Sequence, residues 1–235
     1  GHPAGAGKVR AIDRPCPALG IGAVGAALCA VRLPRWCAPC IDGGDLPAPT
    51  LGATLILLFI TIVAGGGLAA MHVNLLVTRS AISLSREEIA WMLSLCGLGM
   101  LAAQIFHAKL DWLVTVPRRL AGLTLGLLAV ALFMFPVAAS MAELSGIIVA
   151  AGWSSATLRL VTSFWISGGG APSGVKLGFQ HSAASIGQAL APLAIAIVAP
   201  GAQPLVLWGI GGLSLALLVS LPLAWRPPAI VKSSA

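Results

Sequence analysis

The chain has 235 residues, of which 58% are hydrophobic and 9% charged, and its mean hydropathy is +0.97. A soluble domain carries about 25% charged residues, so this composition excludes an ordinary water-soluble globule and favours a lipid environment. The net charge of +7 does not indicate nucleic-acid binding, because Lys and Arg are scattered between apolar blocks and form no basic stripe.

Residues 1–50 contain one short apolar segment and four of the five cysteines. The segment, residues 18–31, is too short for a confident span, which needs about 20 apolar residues. Cys37 and Cys40 lie in the sequence WCAPC, a pattern associated with thioredoxin-type redox centres. Such a centre needs its reactive cysteine at a helix N-terminus, whereas the Gly and Pro residues that follow predict a loop. We interpret the pair as incidental loop cysteines, with redox activity or metal binding as alternatives.

Six later segments are long and apolar enough to be transmembrane helices. They lack the two-residue alternation of a β-barrel, and they predict an all-α, polytopic bundle over residues 51–225 with a short tail at 226–235. The Ser85–Glu88 pair predicts a capping box at the start of the second span. The predicted spans are 51–71, 89–106, 118–140, 144–166, 177–199 and 203–225.

Basic residues in the connections predict the orientation of the bundle. Lys and Arg are concentrated in residues 32–50, in the connections on the same side, and in the C-terminal tail, whereas the opposite side holds only Arg79 and Arg86. Cytoplasmic connections are enriched in Lys and Arg, so we expect a cytoplasmic C-terminus. The expected location is the lipid bilayer of a bacterial inner (plasma) membrane.

Polar side chains inside the spans are the candidate solute-binding residues, because a charge in the hydrocarbon core is costly and is retained for a function. Arg159 is the only Lys or Arg well inside a span. We expect it to face a cavity and to hold an anionic substrate or a carboxylate of another half, with snorkelling to the interface as the alternative. Other cavity-lining candidates, for which packing is the alternative, are Ser155, Gln180, His181, Gln104 and Asn74.

Small residues recur along the fifth span at a spacing of four. This spacing predicts a strip against which another helix backbone can pack closely. Pro192 removes one helical hydrogen bond and predicts a bend. The residues of the expected packing strip are Gly178 and Ser182, then Ala183, Gly187 and Ala191.

Residues 174–200 resemble the eleventh helix of a major facilitator superfamily transporter, where a basic, glycine-bearing entry leads into a small-residue helix. In this sequence the entry contains Gly174, Lys176 and Gly178. The resemblance extends over about residues 50–225 and implies the C-terminal six-helix half of such a transporter, similar to efflux-type members. Residues 18–31 would then be the end of a sixth helix.

Residues 106–119 resemble the cytoplasmic loop between the eighth and ninth helices of the same family. The loop pattern has an acidic residue followed by paired basic residues, and Asp111, Arg118 and Arg119 match these charges. The family glycine is absent, and His107 or Ala108 stands near its place. The resemblance implies a gating role for this loop.

The function implied by the resemblance is secondary active transport of a small organic solute by alternating access, coupled to an ion gradient. The expected partners are the solute and a missing N-terminal six-helix half or a second subunit. We expect no enzymatic activity, cofactor, metal or nucleic-acid partner. The alternatives are a membrane thiol–disulfide protein using Cys37 and Cys40, or a half-transporter remnant that does not transport.

Overall fold

A computed structural model describes residues 50–77, 84–108, 117–167, 174–198 and 201–224. Over these ranges all regular secondary structure is helical. A short 3-10 turn, Phe135–Val137, extends the third helix. The six helices are α1 (Leu51–Val77), α2 (Arg86–Ala108), α3 (Pro117–Met134), α4 (Met141–Ile166), α5 (Gly174–Ile197) and α6 (Gln203–Ala224).

Five of these helices are long and apolar enough to cross a membrane, which indicates an integral membrane protein. They are α1, α2, α3 with its 3-10 extension, α4 and α6. The sixth, α5, has 24 residues but is not one of the five, and Lys, Gln, His and Ser side chains interrupt its apolar sequence. The prediction of six helices is therefore confirmed, and five of the six have the predicted membrane-spanning character.

Capping boxes define where α2 and α4 begin. The Ser85 amide donates to Glu88 Oε2 at 2.7 Å and the Glu88 amide donates to Ser85 Oγ at 3.2 Å, which confirms the predicted box. Ser140 and Glu143 form a second box at the start of α4. Each box satisfies amide donors that have no partner within the helix.

The interhelical contacts establish the helix directions. Ser155 of α4 contacts Ala64 of α1, whereas Thr162, further along α4, contacts Thr61, which lies earlier in α1. Helices α1 and α4 are therefore antiparallel. Helices α1 and α5 are parallel, because residues between Leu55 and Ile62 and residues between Phe179 and Ile186 line one groove that precedes the contact of Gly66 with Gly187 in both helices. Helices α2 and α4 are parallel, because Gly99 lies beside Val149 and His107, further along α2, contacts Thr157, further along α4. We call the end of the bundle at which α1 begins the first end, and the opposite end the second end.

Helices α1 and α4 form the centre of the bundle. Helix α1 packs against α4, α5 and α6, and α4 packs against α1, α2 and α3, while α3 and α6 pack against each other. Helices α2 and α5 lie at the two flanks and each makes its main contact with one central helix. The core residues, including Ile60, Leu128 and Leu158, come from several helices and are fully buried.

The packing pattern repeats within the chain. If α1, α2 and α3 are matched with α4, α5 and α6 in that order, each main helix pair corresponds to another main pair or to itself. In one half, a Cβ built on Gly65 would lie 2.8 Å from the Ala184 carbonyl oxygen. In the other, a Cβ on Gly152 would lie 2.5 Å from the Cys96 carbonyl oxygen. Both are backbone contacts between a central helix and its flanking partner.

The repeat also includes the glycine that the flanking helix contributes to each crossing. A Cβ on Gly187 would overlap the Ile62 carbonyl, and a Cβ on Gly99 would approach the Val149 carbonyl oxygen to 2.7 Å. The central-helix residues correspond at a separation of 87 (65 with 152, 62 with 149), and the flanking-helix residues at 88 (96 with 184, 99 with 187). Since each half has three alternating helices, the second half is inverted relative to the first.

Candidate functional site

A polar network joins α4 to α5 and α1 in the half of the bundle nearer the first end. Gln180 Nε2 donates to the Arg159 carbonyl and to Thr162 Oγ1, both at 2.9 Å. Gln180 Oε1 accepts from Ser163 Oγ at 2.6 Å. Thr162 Oγ1 also lies 3.2 Å from Thr61 Oγ1 of α1. The buried Gln180 side chain thus makes the main polar link between α5 and α4.

Replacing Gln180 by leucine should lower the stability of the bundle by about 2 kcal/mol, because three interhelical hydrogen bonds within a membrane are each worth about 0.6 kcal/mol. The Thr162 and Ser163 hydroxyls would retain backbone acceptors in α4, so no buried donor is left unsatisfied. Thermal unfolding of the purified protein in detergent measures the change. Gln188→Leu is the matched control, since Gln188 is exposed on the same helix. Equal melting temperatures for the two variants would contradict the assigned role.

A histidine lies on the other flank of α4 at a similar depth. His107 of α2 is buried, and its Nε2 is 3.0 Å from Thr157 Oγ1. Its Nδ1 has no hydrogen-bond partner among the described residues. The rings of Phe106 and Trp153 pack around it, with centroid distances of 5.4 and 6.0 Å. This cluster ties the last turn of α2 to α4 and makes that side of the bundle polar as well.

Arg159 lies on α4 between these two groups. It shares a face of the helix with Ser155 and Thr162, since positions i, i+4 and i+7 align, and both of those residues contact α1. The residue is part-buried, and its Nε and Nη2 atoms are buried without a hydrogen-bond partner in the described structure. The guanidinium therefore offers unsatisfied donors beside the seam between the two central helices.

The internal repeat relates Arg159 to His72 of α1. Each residue lies seven positions, about two helical turns, after its crossing glycine, Gly152 or Gly65. His72 Nε2 is also buried and has no partner among the described residues. Because the halves are inverted, Arg159 lies toward the first end and His72 toward the second. The antiparallel contacts between α1 and α4 separate their levels by roughly 15 Å along the axis.

The rest of the polar network is absent from the second half of the repeat. The two central helices correspond at a separation of 87 residues and the two flanking helices at 88, so each network residue has a defined equivalent. Every one of these equivalents is apolar. The scaffold is therefore nearly symmetric but its polar groups are concentrated near the first end. The equivalents of Thr61, Gln180, Thr157, Thr162 and His107 are Ile148, Met92, Ala70, Leu75 and Ile195.

The other predicted cavity residues lie in different environments. Ser155 is buried, and its Oγ donates to the Ala64 carbonyl at 3.4 Å. Asn74 is buried, but its Nδ2 donates within its own helix to Ala70 at 2.9 Å. Gln104 and His181 are exposed on the flanking helices. The structure thus brings Arg159, Ser155 and Gln180 together and leaves the other three outside that group.

The predicted packing strip on α5 divides between two faces. Gly187 and Ala191 are buried, with Gly187 at the crossing with α1. Gly178 and Ser182 are exposed, and a Cβ on Gly178 would meet no atom within 4 Å. The reason is geometric: Gly178 and Gly187 are nine residues apart, which is about half a turn out of phase at 100° per residue. Pro192 lies inside the helix as predicted.

The loop assigned to residues 106–119 is shorter than predicted. Helix α2 continues to Ala108, because His107 packs against α4 and extends the apolar contact. Helix α3 begins at Pro117, a residue suited to the first helical position, so Arg118 and Arg119 are exposed residues of its first turn. Asp111, Cys37, Cys40 and the whole of residues 1–49 lie outside the described residues.

The described residues contain no group of three or more His, Cys, Asp or Glu side chains that could hold a metal ion. A groove of about 550 Å³ lies between α1 and α5, but its lining is almost entirely apolar and includes Phe59, Phe179 and Ile186. The groove is distinct from the polar network. It suits hydrocarbon chains better than a polar solute.

Sequence reasoning missed several members of the network. Thr61 is a single polar residue within an apolar run, His107 lies beside a predicted loop, and Thr157 and Thr162 are two among several polar residues in 154–163. Helical phase carries a usable signal, since Ser155, Arg159 and Thr162 fall on one face of α4. The partners on other helices have no such signal, because contact across the bundle depends on packing. No protein-family model, curated protein or solved structure matches this chain.

Proposed function

We propose that this chain is the C-terminal six-helix half of a secondary transporter of the major facilitator type. In this proposal it moves a small organic solute by alternating access, with an ion gradient as the driving force. The inverted repeat of α1–α3 and α4–α6 carries the proposal. Inverted repeats are a recurrent feature of secondary transporters, whose solute sites lie at the interface between repeats.

The position of the polar groups supports the same proposal. Arg159, Thr61 and Thr162 lie along the seam of α1 and α4, the two helices at the centre of the repeat. Buried polar groups within a membrane are costly and mark solute or ion pathways. A purely structural bundle gains little from an arginine whose guanidinium nitrogens lack partners. The seam is therefore the expected position of the solute.

The flanking helices support a further half as the partner. Helices α2 and α5 expose large apolar side chains, including Leu98 and Leu101 on α2 and Leu190 and Leu193 on α5. A second six-helix body, supplied by a missing N-terminal half or by a second copy, would cover these flanks. Rocking of the two bodies against each other would then expose the solute to one end and the other in turn.

Exchange of solute across a lipid bilayer tests this function. The purified chain is reconstituted into liposomes preloaded with unlabelled succinate, glucose or choline, and entry of the radiolabelled compound is followed. We expect saturable exchange of at least one of these compounds, above the rate in protein-free liposomes. Folded protein that exchanges none of them, with or without a pH gradient, would contradict the proposal. A thiol–disulfide activity that requires Cys37 and Cys40 would instead support the alternative.

A further inference from the structure

Resting on the transporter proposal, the charge distribution of the bundle identifies a class of solute. Arg159 is a cation inside a helix whose Nε and Nη2 are buried and unpartnered in the described structure. An arginine side chain is protonated under all ordinary conditions and has donors but no acceptor. Its unsatisfied nitrogens therefore need an anionic or acceptor group.

The described carboxylates do not reach Arg159. They are Glu87 and Glu88 in the first turn of α2 and Glu143 in the first turn of α4, all at the second end. Glu143 is 16 residues before Arg159 on the same helix, about 24 Å along its axis. Glu88 and Glu143 are also engaged in capping boxes. Within the described residues, Arg159 thus has no counter-charge.

The neighbouring polar side chains are already satisfied. Thr162 donates to a backbone carbonyl of α4, Ser163 donates to Gln180, and Gln180 donates to the Arg159 carbonyl and to Thr162. The network therefore orients the backbone around Arg159 but does not bind its guanidinium. The unused hydrogen-bond donors of the Arg159 guanidinium are a pair of N–H groups that share a positive charge. Such a pair matches the two oxygens of a carboxylate.

We propose that the solute is a small organic carboxylate and that Arg159 binds its carboxylate group in the half of the bundle nearer the first end. The site lies about two helical turns from the crossing glycine Gly152. The repeat-related position in the other half carries His72, and the equivalents of Thr61, Thr162 and Gln180 are apolar there. Binding is therefore asymmetric within a symmetric scaffold.

Binding of benzoate and acetate to the purified full chain tests this assignment, with benzamide as the neutral isostere. Isothermal titration in detergent should detect benzoate but not benzamide. Arg159→Gln should weaken benzoate binding by about 10- to 100-fold, the usual effect of losing a charge-assisted hydrogen bond. Arg159→Lys should retain part of the affinity, since it keeps the charge but not the paired geometry. His72→Gln, at the repeat-related position, should change the dissociation constant less than threefold.

Several outcomes would overturn the proposal. They are failure of the folded protein to bind either carboxylate, equal binding of benzamide, and unchanged affinity in Arg159→Gln. Equal loss in His72→Gln would also contradict a site centred on Arg159. If Arg159 instead pairs with a carboxylate of the chain, Asp111→Asn and Arg159→Gln would each lower the melting temperature without additivity.

The experiment separates this assignment from the transporter proposal. Exchange of glucose or choline without carboxylate binding would overturn the anion assignment and leave transport standing. Carboxylate binding that depends on Arg159, without exchange of any solute, would overturn the transporter proposal and leave the anion assignment standing. Arg86→Gln, at an exposed position in the first turn of α2, is the control for a general loss of positive charge.

Discussion

Substitution of Gly187 by leucine is expected to disrupt the bundle more than any other single change on α5. A Cβ at this position would overlap the Ile62 carbonyl and lie 2.9 Å from the Gly66 amide nitrogen. The obstacle is helix backbone, which cannot move aside as the end of a flexible side chain can. Overpacking a well-packed core costs about 1–3 kcal/mol and occasionally more, and we expect a loss of about 3 kcal/mol or more here.

The melting temperature and the monodisperse fraction of the purified protein in detergent measure this effect. Gly178→Leu is the matched control, because a Cβ on Gly178 of the same helix meets no atom within 4 Å. Alanine at the two positions gives a finer comparison. Gly178→Ala should stabilise the helix by roughly 0.5–1 kcal/mol, whereas Gly187→Ala should destabilise the protein. Similar melting temperatures for the two leucine variants would show that α1 and α5 do not cross at Gly187.

The second large effect is expected at Gly152, where α4 crosses α2. A Cβ there would lie 2.5 Å from the Cys96 carbonyl oxygen and 3.1 Å from Cys96 Sγ. The Cys96 side chain is 2% exposed, so its thiol should react slowly with N-ethylmaleimide in the folded protein. Gly152→Leu should separate the helices and expose the thiol. A loss of about 3 kcal/mol in packing raises the open population on the order of 100-fold, and the labelling rate should rise accordingly.

The experiment uses a variant in which Cys16, Cys29, Cys37 and Cys40 are replaced by serine, so that Cys96 is the one remaining thiol. Gly146→Leu on the same helix is the control, since the space around Gly146 is open. Its labelling rate should match that of the parent. Rapid labelling of the parent protein itself, or an unchanged rate in Gly152→Leu, would contradict the packing of α2 against α4.

The two crossings provide a joint test of the internal repeat. Gly187 and Gly152 belong to different helix pairs, but each lies at a backbone contact between a flanking and a central helix. Because both glycines lie at backbone contacts, we expect their substitution by leucine to lower the stability by similar amounts. Distant and independent sites add their effects on stability, so the two losses should be additive in the double variant. A large effect at one crossing and none at the other would mean that the two halves are held together differently.

Local sequence properties determined the helices themselves. Apolar segments of about 20 residues predicted six helices, and all six are present with ends shifted by a few residues. The Ser85–Glu88 box was predictable because both partners are three residues apart in the chain. The end of α2 was less predictable, since His107 remains helical through its contact with Thr157 on α4.

The candidate site was predictable only in part. Arg159 stands out in the sequence because a lone charge in an apolar helix is costly. Gln180 was a candidate for the same reason, but its bonds to Thr162 and Ser163 depend on the way α5 lies against α4. The strip of small residues on α5 contained Gly187, yet helical phase directed Gly178 to the opposite face.

The sequence by itself determined the environment of this protein, the number of helices and the presence of a costly internal charge. These properties follow from the hydrophobic effect and from hydrogen bonding within single helices, which depend on residues close in the chain. Only the tertiary structure decided which helices are central, where glycines cross, and that the two halves repeat with unequal polarity. Those features arise from contacts between residues far apart in the chain, where close packing selects one partner among many.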